Sequence, residues 1–124
     1  MVDNNDVNIT YSGTWGTYSD AGPYGGSWRA SNTNTNYAQY TFTGTGVRWI
    51  SSKENTHGIA EIKIDSVFQA NVDGYSSTKL WQQVCYEKTG LTSGSHTIRV
   101  TVTNTKNASS TGSWHDVDAF SYRN

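Results

Sequence analysis

The chain has 124 residues, a formal net charge of −1 and only 15% charged side chains. That length suits one domain with a genuine core. The absence of any Lys/Arg cluster argues against a nucleic-acid partner. No stretch approaches the roughly 18 apolar residues of a membrane-crossing helix, and a lone Cys85 excludes both an intramolecular disulfide and a Cys-rich metal site.

Helical periodicity is missing and two-residue alternation recurs. In chain order the predicted strands are 7–12, 26–31, 37–43, 46–51, 58–65, 67–73, 79–88, 95–104 and 115–122. Ala38, Tyr40 and Phe42 oppose Gln39 and Thr41; Ala60, Ile62 and Ile64 oppose Glu61 and Lys63; Ile98, Val100 and Val102 oppose Arg99, Thr101 and Thr103. Each set describes a strand with one buried and one wet face. Gly44-Thr45-Gly46, Asp65-Ser66, Asp73-Gly74, Gly90 and Ser93-Gly94 mark the reversals. Short strands, one Pro and no helix predict an all-β, antiparallel jelly-roll β-sandwich. Residues 1–6 are expected to be a flexible N-terminal segment and 7–124 a single module, read as a piece of a longer chain and as a monomer. Alternation of connections puts loops 32–36, 52–57, 74–78 and 105–114 at one end and the tight hairpins at the other; 13–26 cannot be placed by counting.

Five Trp and eight Tyr occur, and several stand among Gly, Ser, Thr and Asn: Trp15 and Tyr18 in GTWGTYSDAGPYGG, Trp114 in NASSTGSW. A ring in such a loop leaves apolar surface in water unless it serves a purpose. A flat platform for a ring-shaped ligand, with amides and hydroxyls at its edge, is one such purpose and suits a sugar. The Ser/Thr/Asn-rich, charge-poor composition fits a secreted protein.

The segments TGTGVRWISSKENTHGIAEIKIDSVFQANVD, WQQVCYEKTGLTSGSHTIRVTVTNTKN and VDAFSY resemble the galactose-binding-like (discoidin-like) β-sandwich modules attached to secreted polysaccharide-degrading enzymes. These include carbohydrate-binding module families 32, 35 and 62 and the chitosan-binding discoidin domains. The resemblance runs from about Tyr11 to Tyr122. It implies a galactose-binding-domain-like fold, a polysaccharide or oligosaccharide ligand, a catalytic domain elsewhere in a parent multidomain enzyme, and no chemistry of its own. The last agrees with the absence of a zinc-protease motif, a nucleophile elbow or a P-loop.

Candidate ligand contacts follow. Trp114, after a Gly/Ser loop, would stack on a pyranose face, or else seal the rim of the sandwich. Arg29 would donate two hydrogen bonds to vicinal hydroxyls, or else pair with a surface carboxylate. Lys53, Glu54, Asn55 and His57 crowd one loop and supply the mixed donors and acceptors a sugar needs, or else form a solvated turn. Tyr18, Asp20 and Tyr37 would form a second wall, or else pack. Trp15, Trp49 and Tyr40 are assigned to the core; Trp81 is a second contact or a packing cover. The resemblance further implies a structural Ca²⁺, for which Asp116 and Asp118, with Asp3 and Asp6, are the hard-oxygen candidates. Galactose-type sugars are the first ligand expectation. Chitosan-type amino sugars, using Glu54 and Asp20, are the second, and a structural or adhesive sandwich without glycan ligand is the alternative.

Overall fold

The computed structural model describes residues 1–124. Twelve strands form: β1 (Val2–Asp3), β2 (Ile9–Ser12), β3 (Gly16–Ser19), β4 (Ser27–Ser31), β5 (Tyr37–Gly44), β6 (Gly46–Lys53), β7 (Ile59–Ile64), β8 (Val67–Asp73), β9 (Leu80–Lys88), β10 (Gly94–Thr105), β11 (His115–Val117) and β12 (Ala119–Arg123). All named pairings are antiparallel. One sheet runs β2-β5-β10-β7-β8, a second runs β1-β12-β6-β9, and a small third runs β11-β4-β3. The predicted all-β antiparallel sandwich is the fold observed.

The alternating strands do what their pattern requires. Ala38, Tyr40 and Phe42 of β5, Ala60, Ile62 and Ile64 of β7, and Ile98 and Val100 of β10 are buried in one cluster with Trp49, Val117 and Phe120 from the facing layers. Tyr40 stacks on Phe120 at 5.1 Å between ring centres. Trp49 and Tyr40 are core residues as expected, and Trp15 packs at the cluster's margin. β6 breaks the alternation: Trp49 and Ile50 are both buried, because the β6–β9 register slips between them. Ile62 is wholly enclosed. Ile62→Ala is therefore expected to cost about 2–5 kcal/mol of unfolding free energy, read from the shift of a urea transition.

Three features differ from expectation. Residues 1–6 are not a loose lead-in: Val2 and Asp3 pair with Phe120 and Ala119, and Asn4 is buried, its Nδ2 donating to the Ser27 carbonyl at 2.8 Å. The segment has no alternation to announce this; its partner strand recruits it. Residues 13–26, unplaceable by counting, contain β3, which is mostly exposed and pairs with β4 through Gly16–Ser19. The predicted last strand is two: the chain leaves the β4 ladder after Val117 and joins β6 from Ala119. Asp118 is the changeover, with its N–H donating to Ile50 O at 3.1 Å.

Candidate functional site

At one end of the sandwich the loops hold one another by their backbones. Glu54 N–H donates to Gly74 O (3.2 Å), Ser76 N–H to Glu54 O (3.1 Å), Thr111 N–H to Asn55 O (2.9 Å) and Gly74 N–H to Gly58 O (3.0 Å). Three of the four loops predicted to share an end are thereby interlocked. Trp114 is pinned from both sides: its N–H donates to Thr56 O and its C=O accepts from Gly58 N–H, each at 3.1 Å. Ser110 Oγ, buried beneath, donates to His57 O at 2.7 Å. A ring on so fixed a backbone is a rigid platform, so little ordering entropy is left to lose on binding.

These loops and strands β3 and β4 enclose a shallow hollow of about 170 Å³, lined by Tyr18, Trp28, Ala30, Glu54, Thr56, His57, Lys79, Trp114 and Asp116. Tyr18 stacks on Trp28 (5.4 Å, 23° between planes), and Trp28 meets Trp81 edge-on at 5.0 Å. Lys79 closes one side. Its ammonium lies 4.1 Å from the Trp81 ring centre, 4.9 Å from that of Trp28 and 2.8 Å from Glu54 Oε2. A cation over two indoles and against a carboxylate ties the aromatic wall to the polar loop. Trp81 reaches this position because Gln82 is left-handed (φ 51°) where the β6–β9 register shifts. It then covers Gly22, where any Cβ would collide with the indole. Gln82 Nε2 also donates to Gly22 O at 2.9 Å, stapling the 20–26 loop to β9.

The polar floor is buried and engaged. Asp116 accepts from Ser52 Oγ through one oxygen and lies 3.4 Å from His57 Nε2 through the other, and its backbone carbonyl accepts from Trp49 Nε1–H at 3.0 Å. Glu54 accepts from Thr56 Oγ1 at 2.7 Å. Burial alone would raise the Glu54 pKa. Hydrogen bonds from Lys79 and Thr56, with the charges of Lys79 and His57, outweigh burial and hold it below the usual carboxylate range. The hollow thus brings together two carboxylates, an ammonium and the Thr56 hydroxyl, all engaged with one another or with Ser52 and His57, beside the rings of Tyr18, Trp28 and Trp114.

Of the residues predicted from sequence, Trp114, Tyr18, Glu54 and His57 converge here, joined by Asp116, which was expected at a cation site. Lys53 ends β6 beside the hollow without lining it, and Asn55 contributes its carbonyl to the loop lock. Asp20 caps its own turn, accepting from Ala21 N–H at 2.6 Å. Arg29 is not in the hollow. It alternates to the other side of β4 from Trp28 and Ala30 and stacks on Tyr11, 4.6 Å from the ring centre. Tyr37 lies under Arg99 on a separate sheet face. Sequence reading missed Trp28 and Lys79. Trp28 was recoverable, since it shares strand parity with inward Ala30; Lys79 was not, because its position depends on the irregular turn of β9.

Asp116 and Asp118 do not form a shared ligand set. Asp116 faces Ser52 and His57, whereas Asp118 accepts from Tyr24 N–H at 3.1 Å. No group of three or more His, Cys, Asp or Glu side chains is arranged to hold a metal.

No protein-family model matches the chain. It is 33% identical over 99 residues to the A type blood N-acetyl-alpha-D-galactosamine deacetylase of Flavonifractor plautii, covering 80% of this chain and 13% of that protein. It is 32% identical over 102 residues to the A type blood alpha-D-galactosamine galactosaminidase of the same organism, covering 80% and 9%. The chain therefore corresponds to a small part of each curated relative. Among solved structures, Paenibacillus xanthan lyase superposes with a TM-score of 0.73 at 21% identity, over 99% of this chain and 13% of that one. The family 35 carbohydrate binding module of Clostridium thermocellum superposes at 0.56 with 16% identity, over 96% and 94%. The CBM36-1 domain of a xylanase from the Trinervitermes trinervoides hindgut metagenome gives 0.56 and 19%, over 96% and 91%. The fold is that of β-sandwich carbohydrate-binding modules. In the last two cases the match spans nearly the whole module.

Proposed function

We propose that this chain is a non-catalytic carbohydrate-binding module of a larger, secreted glycan-active enzyme, and that the hollow seats one galactose-type sugar. The observation that supports this most is the surround of Tyr18, Trp28 and Trp114 on a floor of engaged polar groups. A pyranose has an apolar C–H face that stacks on a ring and a hydroxyl rim that needs donors and acceptors together. At about 170 Å³ the hollow is well below the roughly 300–1,000 Å³ of drug-sized pockets, so it suits a single ring at a chain end. The names of both Flavonifractor plautii relatives contain galactosamine, which supports a galactose configuration. The carboxylates are tied up by Lys79, Thr56 and Ser52, which supports binding over acid–base chemistry. Lys79 already occupies Glu54, so an amino sugar would have to displace it; this favours the neutral sugar over the chitosan-type reading.

The module's work is then to raise the local concentration of a tethered catalytic domain at its glycan. A single shallow contact of this kind gives affinities on the order of 10 µM to 1 mM. A glycan array followed by titration of the hits tests the proposal. Terminal galactose-type sugars are expected to bind with little dependence on salt. An array with no bound glycan would overturn the carbohydrate reading. Hits confined to cationic amino sugars that fade with salt would overturn the ligand assignment.

A further inference from the structure

We propose that the outer face of the five-stranded sheet is a second ligand site, one that takes a carboxylate-bearing saccharide through Arg99 and Lys63. This does not depend on the hollow. Strand register sets Gln39, Arg99 and Lys63 side by side in one row across β5, β10 and β7. The flanking rows of that face carry Tyr37, Thr101 and Glu61 on one side, and Thr41, Thr97 and Asp65 on the other. Like charges directly opposite each other on neighbouring strands are destabilising, yet Arg99 and Lys63 are so placed in the middle of the sheet. Arg99 leans away from Lys63 toward Gln39 and Tyr37 of β5, and an anion seated over the row would be attracted by both cations.

The anions within the protein do not fill that role. Arg99 makes no ion pair, and Lys63 has only Glu61, at 3.6 Å from its own strand. Asp65 is committed elsewhere: one oxygen lies 2.6 Å from His96 Nδ1, and the other accepts from Thr97 N–H at 2.9 Å. Arg99 is instead fixed in place by neutral groups. Gln39 Oε1 accepts from its Nε at 3.0 Å and its Nη2 at 2.8 Å, and the guanidinium lies 4.0 Å from the Tyr37 ring centre. Two of the five N–H donors are used on one edge, which leaves the Nη1 side of the fork for an incoming group. An arginine shelved on a ring has already lost its rotamer freedom, so a bidentate carboxylate binds without that cost.

The opening over this row measures about 560 Å³ and is lined by Gln39, Lys63, Asp65, Ser66, Thr97 and Arg99, with no apolar side chain. Its lining is polar, unlike that of the aromatic hollow; the row ends on β8 at the half-exposed Phe68, opposite Lys63. Hydroxyls of Ser66, Thr97 and Thr41 flank the two cations and match the hydroxyls beside a uronic acid carboxylate. Two cations on a chain of net charge −1 are too few for a nucleic acid backbone.

The test is a titration of the intact chain with tri-galacturonate at low ionic strength, followed by backbone amide chemical shifts. Shifts are expected at Gln39, Lys63, Thr97 and Arg99, with a dissociation constant of order 1–10 mM. Arg99→Gln and Lys63→Gln should each weaken it by about fivefold or more. Galactotriose should move none of these amides, and sodium sulfate should bind more weakly than the saccharide. Absence of shifts on this face in the unmutated protein overturns the proposal. So does an equal response to galactotriose, or sulfate binding as tightly as tri-galacturonate.

Discussion

Asp118→Asn is expected to stabilise the protein at pH 8 by roughly 1–3 kcal/mol and to make it more sensitive to acid. Asp118 is buried at the changeover between β11 and β12. One oxygen accepts from Tyr24 N–H and the other has no partner. Burial, with the charges of Asp3 and Asp116, pushes its pKa from 3.8 up to about 6 against the hydrogen bond from Tyr24. A folded-state pKa above the unfolded one contributes stability that is full below about pH 4 and lost as pH rises through 6. Asn keeps the acceptor for Tyr24 and removes the charge.

The acid limb comes from His115. Burial, reinforced by the charge of His57, lowers its pKa from 6.5 to about 4. Its contribution is full above pH 6.5 and is lost as pH falls toward 4, at most about 3 kcal/mol. Between pH 4 and 6 the two groups act in opposite directions, so the parent profile should be nearly flat there. Asp118→Asn removes one side of that balance. Urea unfolding at pH 4.5, 6 and 8 measures both effects; a variant less stable than the parent at pH 8 would contradict the account. Repeating the series with Ca²⁺ and with chelator tests the cation expected from the resemblance. A calcium-dependent gain that Asp118→Asn abolishes would assign the ion to Asp118 and its neighbour Asp3.

Trp114→Ala should weaken sugar binding by about tenfold to a hundredfold while leaving stability almost unchanged. The ring lines the hollow, but the bonds that lock its loop are made by backbone atoms that alanine retains. Stacking of a planar ligand on an aromatic side chain is worth about 1–3 kcal/mol, by analogy with bases, and each 1.4 kcal/mol is tenfold. Arg29→Ala is the informative control. Its guanidinium stacks on Tyr11, away from the hollow, so binding should persist while stability falls. Normal binding by Trp114→Ala, or lost binding by a folded Arg29→Ala, would move the site elsewhere.

The clearest part of the fold to read from sequence was the set of strands whose two faces differ. β5, β7 and β10 appear within a residue or two of their predicted bounds because period-2 alternation specifies both strand and register; β8 keeps its predicted bounds, but a register slip against β7 turns Phe68 outward beside Lys63. β1 and β3 escaped because short edge strands bury too little to leave a pattern. In the site, Trp114 and the 54–57 loop were legible, since a ring among Gly and Ser and a dense polar loop both stand out from a strand background. Arg29 misled because a strand residue's face is known only once its neighbours' burial is known, and Ala30, not Arg29, faces the hollow.

Sequence by itself determined the class of fold, the buried faces of β5, β7 and β10, and the loops that carry Trp114 and Glu54. All three depend on periodicity and on neighbours along the chain. Tertiary structure alone decided which of those residues meet. The clamp of Lys79 by Trp28, Trp81 and Glu54, the burial of Asp118 and the row of Arg99 beside Lys63 each join strands far apart in sequence. Such contacts are set by strand order, register and local bulges, which no local pattern encodes.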